Sequence, residues 1–208
     1  MELETAGDRY PVWNDRRIFR DLVRHLITVH GKRKIFCLTG PAGFHQSEDR
    51  LAGFRDAMAE AGLPVTEDMI FYGDFWKAAG KQLGQAIADG GVAFPEAVAC
   101  ANTCMAETLI AALQRNRIRV PEDIAVVGYD PFFNNVLNVP SITCMANMNY
   151  NQGVSSVCRL YHRMTGICCD PIPLRPEVLE PAESCGCTVS HHGVFAKYRK
   201  DLAEQLEF

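Results

Sequence analysis

The segment from Val120 to Asp130 constrains the fold of this chain more than any other. Pro121 cannot continue a helix, because it lacks a backbone N–H and disfavours a helical conformation in the residue before it. Residues 124–127 then form a continuous apolar run, which is typical of a strand buried on both faces. The run ends at Gly128, and Asp130 follows. In open α/β sheets, ligands bind beyond the carboxyl ends of parallel strands, so the pattern predicts a carboxylate in a polar ligand site.

Short apolar runs and helical segments alternate along the chain. Strands are predicted at residues 35–39, 69–72, 97–100, 124–127 and 142–145, and the proline-rich residues 171–181 are predicted to form an extended edge strand. Helices are predicted at residues 17–30, 47–61, 78–89, 105–116, 154–164 and 195–208. Such alternation favours parallel strands joined by right-handed crossovers. We therefore predict an α/β fold, with a parallel sheet and flanking helices.

The composition is that of a soluble globular protein. The chain has 208 residues, 48% of them hydrophobic and 22% charged, which suits one large domain or two small ones. A net charge of −4 and a pI near 5.9 argue against direct binding to nucleic acid, which needs a basic face. No apolar run reaches the roughly 18 residues of a membrane span, and the acidic start lacks the apolar core of a signal peptide. We expect a cytoplasmic protein with no membrane partner.

Nine cysteines are many for such a chain. Three lie in apolar runs and are predicted to be buried, namely Cys37, Cys100 and Cys144. Four others are predicted to be more exposed, namely Cys168, Cys169, Cys185 and Cys187. An odd number of cysteines without an export signal favours reduced thiols over disulfides.

A metal site can be drawn from Cys185, Cys187, His191 and His192, but its spacing is poor. Zinc sites usually have two to four residues between cysteines and three to five between histidines. Here one residue separates the cysteines and none separates the histidines. We predict no metal site and no cofactor. The chain also has no glycine-rich phosphate loop or nucleophile elbow, so we do not expect an enzyme.

Eight phrases of this sequence, in order and spacing, resemble the effector-binding domain of the LacI/GalR family of bacterial repressors. They lie at residues 25–35, 40–41, 50–58, 73–75, 101–106, 120–130, 140–143 and 183–187. The resemblance covers roughly residues 12–187 and implies the type I periplasmic-binding-protein fold, which has two lobes. It also implies that the family's DNA-binding head and most of its first lobe have no counterpart here.

From this resemblance we expect a complete second lobe and a partial first lobe. Residues 1–40 would belong to the first lobe and residues 41–130 to the second. Residues 131–165 would return to the first lobe and residues 166–187 to the second, with residues 188–208 forming a tail or linker helix. Because the first lobe would be incomplete, we expect residues 1–40 to pack poorly or through a partner chain, since the apolar faces of the helix at 17–30 and the strand at 35–39 would lack a cover.

The resemblance also implies ligand-binding residues. Arg50 would hold ligand hydroxyls or carboxylates, Asp130 and Asn102 would exchange hydrogen bonds with the ligand, and Phe75 would stack on it. Each has a structural alternative: Arg50 as a surface residue at a helix start, Asp130 as a helix cap or turn residue, and Phe75 as a core residue. The family usually has an aspartate after the asparagine, where this chain has Thr103.

Ligand identity is expected to depend on the loop that contains Phe44 and Gln46. A purine-binding member of the family would have a polar or basic residue at the position of Phe44, so the sequence favours a sugar. The resemblance implies a sugar-sensing domain of a LacI-type transcriptional regulator, a homodimer that contacts DNA only through a domain absent from this chain. The alternative is the sensor of a multidomain signalling protein with a C-terminal output such as a diguanylate cyclase.

Overall fold

The computed structural model describes residues 14–130, 139–146, 148–168, 175 and 177–188, without the side chain of Met148. The predicted helix at residues 195–208, residues 171–174 and 176 of the proline-rich segment, and His191 and His192 lie outside these residues. Within them, no helix is both long enough and apolar enough to cross a membrane.

A four-stranded parallel sheet forms the centre of the fold. Its strands are β1 (Ile35–Thr39), β2 (Ile70–Tyr72), β3 (Ala97–Cys100) and β4 (Ala125–Gly128), in the order β2-β1-β3-β4. Cys37 of β1 pairs with Ile70 of β2 and with Ala99 of β3. Every residue of β1, β3 and β4 is buried, as expected for strands covered on both faces. The predicted α/β fold is confirmed.

Four helices flank the sheet. They are α1 (Asp15–Thr28), α2 (His45–Glu60), α3 (Lys77–Ala88) and α4 (Thr103–Arg115). Helix α1 packs on α2, and α3 packs on α4. The chain moves from β1 outward to β2 and then back past β1 to β3 and β4, so right-handed crossovers place α2 on one face and α3 and α4 on the other.

The predicted domain boundary at residue 40 was wrong for the sheet. Strand β1 lies in its middle, hydrogen-bonded to β2 and β3, and therefore cannot belong to a different lobe from them. The expectation that the apolar face of α1 needs a partner chain was also wrong. Ile18, Leu22 and Leu26 have no exposed surface, because α2 and the sheet of the same chain cover them.

The later segments extend this unit. Strand β5 (Cys144–Met145) pairs antiparallel with β6 (Leu179–Glu180), and Thr143 makes a parallel bridge to Val127 of β4. The hydroxyl of Ser184 donates to the carbonyl of Val126 (2.6 Å) and accepts from the backbone N–H of Thr143 (3.0 Å). The chain at residues 183–185 is thereby attached to the edge strand of the sheet.

Helix α5 (Met148–Thr165) starts six residues before the predicted residue 154. Its apolar side chains at helical spacing are exposed, including Val157 (65%), Leu160 (60%) and Met164 (77%). The prediction that residues 131–165 return to a first lobe stays a prediction.

Candidate functional site

The predicted site residues lie at the carboxyl edge of the sheet. Phe44 precedes α2 in the loop after β1, Phe75 follows β2, Asn102 follows β3 and Asp130 follows β4. The chain leaves β1 and β3 toward opposite sides of the sheet, so their carboxyl ends border the point where the strand order reverses. Such a switch point leaves a crevice between the diverging loops, where open α/β sheets bind ligands.

Arg50 lies in α2 and is largely buried, with 13% of its side chain exposed. The alternative that it is a surface residue at a helix start was wrong, because α2 begins at His45 and the arginine lies a turn further along. Its Nη1 donates to the carbonyl of Ala101 (2.5 Å), and its guanidinium carbon lies 3.8 Å from the ring centre of Tyr129 and 5.5 Å from that of Phe75. Its Nε is buried and has no hydrogen-bond partner among the described residues.

Asp15 is a member of this site that the sequence analysis missed. This buried residue begins α1, and its Oδ2 lies 3.6 Å from Nη2 of Arg50, while its Oδ1 accepts a hydrogen bond from the hydroxyl of Tyr129. A buried charge needs a partner, and here the carboxylate and the guanidinium compensate each other. A sequence signal was present, since an aspartate stands in the first turn of a helix, but many surface aspartates occupy that position.

Phe75 lies in the middle of the site. Its backbone φ is +59°, a left-handed conformation that is uncommon for a bulky residue. A Cβ added at Gly40 would lie 2.2 Å from Cζ of Phe75, so the ring rests directly on the backbone after β1. The exposed ring of Phe44 meets Phe75 edge-on, with centroids 6.0 Å apart. The two rings offer an aromatic surface beside Arg50.

Asn102 and Asp130 both cap helix α4. Oδ1 of Asn102 accepts from the backbone N–H of Met105 (2.8 Å), and its Nδ2 donates to the carbonyl of Phe75 (2.9 Å). Oδ1 of Asp130 accepts from the backbone N–H of Thr103 (3.1 Å). One oxygen of Asp130 therefore has the structural role that was the alternative to ligand binding, namely capping a helix. Its Oδ2 has no partner among the described residues and remains able to accept a hydrogen bond.

Thr103 and Gln46 differ from what the family resemblance implies for their positions. Thr103 is buried and packs its methyl group toward Gly128, where an added Cβ would lie 2.6 Å away, so it fills space where the family has a carboxylate. Gln46 is exposed in the first turn of α2, and no hydrogen bond or ion pair joins it to the other predicted site residues in the part of the chain described. The structure thus brings Arg50, Asn102 and Phe44 against Phe75, and it places Asp130 against Thr103, the residue after Asn102.

A second group of polar side chains lies at the end of α1 and was also missed. His25, His30, Cys185 and Cys187 place one ligand atom each within 4.8 Å of all the others. The predicted exposure of Cys185 was wrong, since only 2% of it is exposed. Cys37, Cys100 and Cys144 are buried as predicted.

The titration of this group is shifted by burial. Burial is the main cause that lowers the pKa of His25, and the nearby His30 lowers it further. Burial also lowers the pKa of His30, with a smaller effect from the charge of Lys32. Burial raises the pKa of Cys187 to about 11, assisted by its hydrogen bond to Cys185. At neutral pH both imidazoles are therefore neutral, and Cys187 is a thiol.

The family of the chain follows from comparison with known proteins. Residues 23–183 match the periplasmic binding protein-like domain, and the chain belongs to this family. It is 42% identical over 104 residues to the HTH-type transcriptional repressor PurR of Vibrio parahaemolyticus, covering 49% of this chain and 30% of that protein. It is 30% identical over 159 residues to the ribose operon repressor of Escherichia coli, covering 76% of this chain and 48% of that protein.

A solved structure agrees with these relatives. The complex of the transcriptional regulator CelR with cellobiose superimposes with a TM-score of 0.71 at 29% identity, covering 82% of this chain and 52% of that one. The resemblance to the effector-binding domain of LacI-type repressors is confirmed. The chain spans about a third to a half of the length of the two repressors it matches.

Proposed function

We propose that this chain senses a small polar effector, a sugar, for a transcriptional regulator of the LacI type. The observation that carries the proposal is that Arg50, Phe75 and Asp130 all lie at the carboxyl edge of the parallel sheet. A guanidinium, an aromatic face and an available carboxylate oxygen are the groups that bind a ring with several hydroxyls. The proteins compared above are transcription regulators, which favours this role over the sensor of a signalling enzyme.

Signalling would follow from closure of two lobes over the effector. The described residues form one wall of the site, at the carboxyl edge of the sheet. A ligand that contacts this wall and a facing lobe at once favours the closed arrangement by its differential affinity for that state. DNA would be contacted by a domain absent from this chain, and the regulator would act as a homodimer, which sedimentation velocity can test.

Isothermal titration calorimetry tests the sugar site. The chain is titrated with pentoses, hexoses, disaccharides and purine nucleosides, and the best ligand is then titrated into Asp130→Asn. Asparagine still accepts from the N–H of Thr103 but carries no charge, so the helix cap is kept while the ligand contact is weakened. We expect affinity to fall by about 10-fold to 100-fold, because a charge-assisted hydrogen bond contributes roughly 1.5–3 kcal/mol.

Asp68→Asn is the matched control, because this exposed aspartate lies at the amino end of β2, on the opposite edge of the sheet. It should bind the ligand like the unmodified chain. Equal affinity for Asp130→Asn and the unmodified chain would remove Asp130 from the site, and binding of purine nucleosides alone would overturn the sugar assignment.

A further inference from the structure

We propose that His25, His30, Cys185 and Cys187 bind one zinc ion. This site lies apart from the effector site, at the end of α1 that is remote from Asp15. It does not depend on the proposed function.

Four of the six distances between the four ligand atoms match a tetrahedral zinc site, and all six are within 4.8 Å. With Zn–N of about 2.0–2.1 Å and Zn–S of about 2.3 Å, tetrahedral ligands lie about 3.3 Å apart for two nitrogens and about 3.6 Å apart for nitrogen and sulfur. Nε2 of His25 lies 3.2 Å from Nε2 of His30, and 3.5 Å from Sγ of both Cys185 and Cys187. Sγ of Cys187 lies 3.3 Å from Nε2 of His30.

The chemistry of the donors selects the metal and its role. Two imidazoles and two thiols form a set that zinc prefers, whereas calcium and magnesium take oxygen ligands. Four protein ligands fill a tetrahedral ion and leave no position for water or substrate, which is the mark of a structural site. We therefore infer a structural zinc ion.

The local backbone is shaped for this convergence. His25 lies in the last turn of α1, and His30 follows the end of that helix. Between the cysteines, Gly186 has a φ of +100°, a conformation that L-residues rarely adopt, and it turns the chain so that both thiols face the histidines. An added Cβ at Gly186 would contact His30 at 3.6 Å.

A supporting hydrogen bond comes from outside the four ligands. The hydroxyl of Thr143 lies 3.0 Å from Sγ of Cys185 and can donate to a thiolate there. Its position is fixed by the backbone N–H of Ala182, which donates to it at 2.8 Å. Such outer contacts orient metal ligands and stabilise the charge on a metal-bound sulfur.

Hydrogen bonding without a metal is the competing explanation. The pairs are close enough for it, but thiols are weak hydrogen-bond donors and acceptors. Hydrogen bonds to thiols would therefore stabilise the convergence of two sulfurs and two nitrogens only weakly. A zinc ion gives each of them a strong partner. It would also cross-link residues that are 155 to 162 positions apart in the sequence, and so close a long loop of the chain.

The test measures zinc in the full 208-residue chain. It is produced without a histidine tag in zinc-supplemented medium, purified in reducing buffer and analysed by inductively coupled plasma mass spectrometry. We expect one zinc ion per chain, and near-complete loss of it in His30→Ala and in Cys187→Ser. Matched controls are His45→Ala and Cys168→Ser, which remove an exposed imidazole and an exposed thiol outside the cluster and should keep the metal.

Cobalt substitution keeps the test decisive if the variants fold poorly. Replacing zinc by Co²⁺ in the unmodified chain should give the intense visible absorption of tetrahedral cobalt and a thiolate-to-cobalt charge-transfer band. Removing zinc with a chelator should lower the melting temperature, and adding zinc should restore it. A reduced, zinc-supplied chain that contains no zinc and gives no tetrahedral cobalt spectrum would overturn the proposal, as would full zinc content in both ligand variants.

Discussion

Replacing Arg50 by methionine should destabilise the fold because it leaves a carboxylate without its cation. Asp15 is buried and Arg50 is largely buried, with 10% and 13% of their side chains exposed, and their nearest charged atoms lie 3.6 Å apart. At an effective dielectric constant of about 20, this separation corresponds to an attraction of roughly 5 kcal/mol. Solvent and the Tyr129 hydroxyl recover part of it. We expect the free energy of unfolding to fall by about 3–5 kcal/mol, as when one partner of a buried pair is removed.

Urea unfolding followed by circular dichroism measures this loss. Arg55→Met is the matched control, since this exposed arginine of the same helix pairs with the exposed Glu67 at 3.1 Å. Exposed pairs contribute about 0–1 kcal/mol, so the control should change little. Adding Asp15→Asn to Arg50→Met should cost less than the two single changes summed, because the uncompensated charge is gone. If Arg50→Met and Arg55→Met are equally stable, the buried pair does not hold α1 to α2.

Three further predictions concern positions outside this pair. Gly80→Ala should destabilise the fold by about 1–3 kcal/mol, because the new Cβ would lie 2.1 Å from the carbonyl of Met105 and separate α3 from α4. Gly153→Ala meets nothing within 4 Å in α5, so the same substitution should stabilise by up to about 1 kcal/mol; urea midpoints test both. Arg119 lowers the pKa of Asp123 to about 2, so the stability from this carboxylate should be present above about pH 4 and lost as pH falls toward 2; an NMR titration giving an ordinary aspartate pKa would contradict it.

The strands could be predicted from the sequence because their cause is local. The observed bounds of β1 and β3 equal the predicted ones, since each is a short apolar run followed closely by a residue that favours a turn or cap, Gly40 after β1 and Asn102 after β3. The carboxyl edge could also be predicted, because parallel strands place the residues that follow them on one side. Asn102 and Asp130 therefore lie where the pattern indicated.

Contacts between distant residues could not be predicted in this way. Arg50 is buried by Tyr129 and Asp15, which lie 79 positions after it and 35 before it, so no helical pattern reveals its environment. The histidines near Cys185 in the sequence, His191 and His192, suggested a poor metal site, whereas those near it in space precede it by 155 positions or more. The boundary at residue 40 failed because strand order is a property of the whole sheet.

The hydrogen bond between Asp130 and the Thr103 amide makes the candidate site observable by spectroscopy. The resonance of an amide proton depends on the electron density of its acceptor, and here that acceptor is the carboxylate proposed to meet the effector. A ligand that binds Oδ2 would draw charge away from Oδ1 and shift the Thr103 signal, while amides on the opposite edge of the sheet would stay in place. Occupancy of the effector site could then be followed from the Thr103 amide signal, without a label on the ligand.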